Sequence, residues 1–126
     1  MSPAGPRVAG IDPGTVSFDV CALQGGEVSL ERSFLTAEVA ADPGVLVEAL
    51  AGHSPFDLVL GADVIYDRSE HEPIAELLNT LLATGGTAWL GEPNRESAKG
   101  FLADWASRGR CVKSVRVEDA TVHELT

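Results

Sequence analysis

Arg7-Val-Ala-Gly-Ile-Asp-Pro-Gly-Thr15 is an apolar strand running into an acidic glycine turn. Val8–Ile11 has the length and apolarity of a short buried strand. In Asp12-Pro13-Gly14 the proline presets a bend and the glycine admits positive φ. A carboxylate at a strand end, beside a turn rich in backbone N–H groups, suits a magnesium-bound phosphate. The carboxylate serves the metal and the amides serve the oxygens. Asp12, Gly14 and Thr15 are therefore candidate cofactor-binding residues, with Asp12 the candidate metal ligand. A plain solvated turn accounts for the same residues equally simply.

Outward from this turn, Ser17–Leu23 ends at Gln24-Gly25-Gly26, a hairpin signal. Glu27–Phe34 then alternates Val28 and Leu30 against Glu27, Ser29 and Glu31, as in a strand with one wet face. The first third reads as a three-strand antiparallel meander. Asp42-Pro43-Gly44 opens a helix: Asp42 caps it and proline suits its first turn. Val45, Leu46, Ala49 and Leu50 share its inner face.

The second anchor is Phe56-Asp-Leu-Val-Leu-Gly-Ala-Asp-Val-Ile-Tyr-Asp67. Phe56–Gly61 is a continuous apolar run, expected of a central parallel strand covered on both sides. Ser69-Glu-His-Glu72 has capping-box spacing. Ile74, Leu77, Leu78, Leu81 and Leu82 follow at helical intervals, and Gly85-Gly86 ends the helix. Thr87–Leu90 is a short strand. Asn94 caps a helix whose stripe is Ala98, Phe101 or Leu102, and Trp105, stopped by Gly109. Cys111–Val117 is a strand and Thr121–Leu125 a last edge strand. The expected fold is α/β: a single mixed sheet with an antiparallel N-terminal meander, parallel central strands, and helices on its faces. One domain over residues 1–126, with residues 1–6 as a frayed tail, fits this length.

Composition narrows the function classes. Nineteen acidic against nine basic residues give a net charge of −10, which repels phosphate backbones and argues against nucleic acid. Cys21 and Cys111 lack metal-site spacing and read as buried reduced thiols. His53, His71 and His123 share no ligand spacing and read as surface residues. Trp89 and Trp105 both fit core positions. No apolar run reaches the roughly 20 residues of a membrane span. The N-terminal stretch has no apolar signal-peptide core, so the expected compartment is cytoplasmic.

Two resemblances follow from these stretches. Residues 7 to about 60 resemble predicted butyrate-kinase-like proteins of the acetate/sugar kinase–actin–Hsp70 superfamily. The supporting residues are Val8-Ala-Gly-Ile-Asp-Pro-Gly-Thr15, Ser17-Phe-Asp-Val-Cys-Ala-Leu23, Glu31-Arg-Ser-Phe34 and Phe56-Asp-Leu-Val59. That resemblance implies a ribonuclease-H-like sheet, Asp12 on the metal side of a magnesium-ATP, and further parts of the kinase site that no residue after 60 matches. A nuclease variant of the same geometry would gather Asp12, Glu48 and Asp63 around two metals. Residues 56–126 resemble the C-terminal half of seven-strand, S-adenosylmethionine-dependent methyltransferases of the D-x-x-Y branch. The carrying residues are Phe56–Tyr66, Leu77–Leu82, Gly85–Leu90 and Arg95–Trp105. It implies a Rossmann-like half with Asp63 and Tyr66 at the substrate entrance as candidate catalytic residues. The glycine-rich cofactor loop such enzymes use has no counterpart here.

Together these readings describe an apparent chimera joined at residues 56–60. The expected function is a hybrid or engineered α/β scaffold without turnover and without a bound cofactor. Two alternatives stay open: an S-adenosylmethionine-dependent methyltransferase-like protein, and a magnesium–phosphate or nucleotide-binding module. Halves packed against unfamiliar partners should leave apolar surface exposed. Self-association is therefore expected, as a homodimer that exchanges the meander about Asp42-Pro-Gly44 or Gly61.

Overall fold

The computed structural model describes residues 5–64, 68–94 and 96–126. Most of the proline-rich tail, Tyr66 and the Ser69 side chain of the expected capping box lie outside the described residues. The strands are β1 (Arg7–Pro13), β2 (Ser17–Gln24), β3 (Glu27–Leu35), β4 (Phe56–Ala62), β5 (Leu82–Glu92), β6 (Val112–Val117) and β7 (Ala120–Leu125). The helices are α1 (Thr36–Ala41), α2 (Gly44–Ala51), α3 (Arg68–Leu81) and α4 (Glu96–Ser107). The strands form one seven-stranded sheet in the order β3-β2-β1-β4-β5-β7-β6.

The meander forms as its turn chemistry dictates. Gly25 and Gly26 both take positive φ, 59° and 84°, which closes the β2–β3 hairpin. β1 pairs antiparallel with β2 and parallel with β4, and β4 pairs parallel with β5. The sheet is thus mixed, antiparallel at both flanks and parallel at its centre. β7 lies between β5 and β6, so β6 rather than the C-terminal strand forms that edge.

Register places the buried side chains on one face. Ala22, Ala9, Val59, Ala88 and Leu125 are successive cross-strand neighbours, and all are buried. The adjoining row runs Val20, Ile11, Gly61, Leu90 and His123. The helices supply the rest of that core: Leu46 and Leu50 from α2, Ile74, Leu77, Leu78 and Leu81 from α3, and Phe101 and Trp105 from α4. The intervals that predict those helix faces are the intervals that bury them.

Several local expectations are corrected. Gly85-Gly86 does not end a helix; it lies inside β5, and Leu82 is already strand. Pairing with β4 jumps from Phe56–Leu82 to Leu58–Thr87, so the glycines form an irregularity. A Cβ on Gly86 would lie 2.8 Å from the Phe56 carbonyl oxygen and 2.9 Å from that of Ala83, so only glycine fits. Asn94, at φ 60°, turns its amide away from α4 toward the β6–β7 turn, donating to the Asp119 carbonyl at 2.9 Å. A bulge between Ala22 and Leu23 shifts the β2–β3 register. It turns Val28 to the solvent side, whereas Leu30 packs on the core. Cys111 is exposed and Cys21 half-buried, and both are free. Trp89 is 45% exposed, Trp105 1%.

Candidate functional site

Among the described residues no helix packs on the face of the sheet opposite the core, and that face is open. Its central row reads Glu31, Cys21, Gly10, Leu60, Trp89 and Glu124 across six strands. A concavity of about 840 Å³ lies on this face. Its floor includes Gly10, whose missing side chain leaves room: a Cβ there would stand 3.0 Å from Cys21 Sγ. One wall is apolar and aromatic, from Leu60, Trp89 and Val122. The opposite rim carries three carboxylates, Asp12, Asp19 and Glu31, together with Arg32.

Asp12 sits near the end of β1, directly across the antiparallel pair from Asp19 of β2. Both are exposed on the open face. Ser33 on β3 donates its hydroxyl to Asp19 Oδ1, orienting that carboxylate. Like charges directly opposite on a sheet repel. Among the described residues no group of three or more His, Cys, Asp or Glu gathers as a metal cage. Magnesium asks for less: it keeps several waters and is held by one or two carboxylates plus substrate phosphates. Asp12 and Asp19 fit that demand.

Gly14 and Thr15 form the exposed turn that follows. A Cβ on Gly14 would fall 2.6 Å from the Ser17 carbonyl oxygen, so glycine is required there. Thr36, at the start of α1, pins the turn. Its hydroxyl donates to the Gly14 carbonyl at 2.6 Å and its N–H to the Val16 carbonyl at 2.8 Å. Two carbonyls of the turn are thereby tied to α1.

The remaining candidates do not join this site. Glu48 is exposed on α2, in the helix layer, away from the open face, so the nuclease triad is not assembled. Asp63 follows β4 in a left-handed conformation, φ 52°, and donates its N–H to the Gly91 carbonyl at 2.7 Å. Tyr66, its expected partner, lies outside the described residues. His123 is not a surface residue. It is 5% exposed, and its Nε2 lies 3.0 Å from Glu92 Oε1. Asp19, Trp89, His123 and Glu92 escape sequence reasoning. The alternation Ser17–Leu23 does place Asp19 two residues from Cys21, on one face of β2, and that is the signal that could have found it.

Comparison with known proteins adds two findings. The model of DUF1464, a family described as a protein of unknown function, matches residues 10–71. Among solved structures, the chain is similar to a Bacteroides thetaiotaomicron protein with an actin-like ATPase fold and unknown function. The TM-score is 0.44 and the identity 13%, over 64% of this chain and 32% of that one. The chain thus spans about a third of that protein's length. No curated protein matches the chain.

The family match overturns the chimera. One family model runs without interruption from the β1 turn through residue 71, across the supposed join at 56–60. It includes the D-x-x-Y stretch that suggested a methyltransferase. The structure gives the physical reason: β4 is an interior strand with a parallel partner on each side, so the supposed seam is the middle of one sheet. A strand, a carboxylate and a helix in that order recur in many α/β chains. Asp63-x-x-Tyr66 and the helix–strand–helix order of Leu77–Leu82, Gly85–Leu90 and Arg95–Trp105 do not mark a methyltransferase half. No helix among the described residues is long and apolar enough to cross a membrane.

Proposed function

We propose that the chain is a magnesium-dependent phosphate- or nucleotide-binding module. The observation that carries this reading is the opposition of Asp12 and Asp19 at the rim of the open concavity. Two exposed carboxylates held opposite each other by one β-hairpin can share a divalent ion, and the exposed Gly14–Thr15 turn beside them offers backbone to phosphate oxygens. Trp89 and Leu60 stand across the bare Gly10 floor. By strand spacing Trp89 is roughly 12 Å from Asp12, about the reach from a phosphate chain to its base. A base stacked on an exposed tryptophan is worth roughly 1–3 kcal/mol. The resemblance to the acetate/sugar kinase–actin–Hsp70 superfamily supports the same ligand class and the same residue, Asp12. Calorimetric titration with magnesium-ATP, magnesium-tripolyphosphate and ATP in chelator tests it. Heat from the first two, absent in chelator and abolished by Asp12→Asn, is expected. Silence from all three would sink the reading.

A second reading concerns partners. Leu60, Trp89, Val122, Val115 and Val117 are all exposed large apolar residues of the open face. Leu60 pairs with Trp89 and Val122 with Val115 in two neighbouring rows, offset by two residues, so the apolar residues run diagonally across the face beside Glu124 and Lys113. A second copy laid face to face would cover it. This rests on the open face and not on mismatched halves. Sedimentation equilibrium at micromolar concentrations, with Val115→Lys as the comparison, decides it.

A further inference from the structure

A second constellation stands on the core side of the sheet, at the β6 edge. Ser114 of β6 and His123 of β7 are register partners. Cys111 and Thr126 exchange both backbone hydrogen bonds, N···O 3.2 and 3.1 Å. By the alternation of an antiparallel ladder, Ser114 and His123 are then a non-hydrogen-bonded pair, the kind whose side chains approach most closely. Ser114 Oγ lies 2.7 Å from His123 Nδ1. His123 Nε2 lies 3.0 Å from Glu92 Oε1, and the two side chains are only 6% and 4% exposed. Ser114 itself is exposed. Asn94 ties the adjoining backbone, accepting from the Thr121 hydroxyl and donating to the Asp119 carbonyl. The end of β5 that carries Glu92 is thus fixed against the β6–β7 hairpin.

We infer that Ser114, His123 and Glu92 form a nucleophile–base–carboxylate relay that makes the Ser114 hydroxyl reactive toward small carboxylic esters. The pattern is an accessible hydroxyl bonded to an imidazole that a buried carboxylate orients. With Nε2–H donated to Glu92, Nδ1 is the lone-pair acceptor that takes the serine proton. Ser114 Oγ bonds to the ester carbonyl carbon as its proton passes to Nδ1. The tetrahedral intermediate then expels the alcohol, which takes the proton back from His123. A water, deprotonated by the same nitrogen, cleaves the acyl-serine, releases the acid and restores the hydroxyl. The oxyanion has two donors at hand. Ser114 belongs to a non-hydrogen-bonded pair on an edge strand, so its own N–H points away from β7. Arg116, two residues on, shares its face of β6; its Nε donates to the Glu118 carbonyl at 3.3 Å, and its terminal guanidinium nitrogens would supply the second donor.

The test is covalent labelling by a fluorophosphonate probe, read by intact mass and peptide mapping on protein checked for folding by circular dichroism. The expected result is one adduct on Ser114, absent in Ser114→Ala and slowed roughly 100-fold or more in His123→Gln and Glu92→Gln. Hydrolysis of p-nitrophenyl acetate should fall in the same order. His123→Gln disturbs a buried site, so a second measurement stands apart from it. In Ser114→Cys, the new thiol should be alkylated by iodoacetamide at least about tenfold faster than the exposed Cys111 of the same chain. Two results would overturn the inference: no Ser114 adduct on the wild-type protein, or a thiol at 114 no more reactive than Cys111.

Discussion

Asp12 and Asp19 lie directly opposite each other on β1 and β2, with Asp19 held in place by the Ser33 hydroxyl. The hairpin thus keeps two negative charges together on an open face, where nothing in its own register offsets them. Without a divalent ion, Asp19→Asn should raise the melting temperature slightly by removing repulsion. With millimolar magnesium and tripolyphosphate, the wild-type protein should gain more than the variant. Paired thermal melts measure both. A variant that gains as much as wild type would disconnect Asp19 from the ion.

Leu78 is 1% exposed on the inner face of α3. Leu78→Ala should cost about 2–5 kcal/mol, the range for truncating a buried leucine. Leu60→Ala, on the open face, should cost far less. Urea unfolding of the two variants side by side checks the contrast.

The two tryptophans divide between the faces. Trp105 is sealed among core residues with Arg110 stacked on its ring at 4.6 Å, and Trp89 is open to solvent. Iodide should quench the emission of Trp105→Phe, which retains Trp89. It should leave Trp89→Phe nearly unaffected. Magnesium-ATP should protect Trp89 from iodide if the base stacks there. Unchanged quenching in saturating nucleotide would move the base elsewhere.

Gly86→Ala should be strongly destabilising, because its Cβ meets two backbone oxygens inside 3 Å. Both are backbone oxygens, which cannot swing aside as a side-chain end would. Gly52→Ala offers the control, since a Cβ there meets nothing within 4 Å and alanine suits the end of α2. Chemical denaturation of the pair should separate them by more than about 1 kcal/mol.

Much of the fold could be read from the chain because its signals are local. Gly25-Gly26 fixes a hairpin by φ alone, and the Ile74–Leu81 spacing fixes a helix face. What escaped depends on position within the sheet. Trp89 alternates correctly for a strand, but only the layering shows that its side of β5 is open. Val28 is turned outward by a bulge that no alternation announces. Paired glycines misled in the other direction, since Gly85-Gly86 marks a strand irregularity instead of a helix stop. The candidate site was half legible: Asp12 and Gly14 stand in a turn that announces itself, whereas Asp19 joins them only through register. His123 escaped because its partners are 9 and 31 residues away.

The sheet ends in two strands, β3 and β6, that no other described strand covers laterally. Their outward backbone is a template on which another chain could add a strand. Glu27, Glu31 and Arg32 on one side, and Lys113 and Arg116 on the other, set charge along both borders. Charged borders discourage that addition. Growth of this protein into fibres by lateral strand stacking is therefore disfavoured.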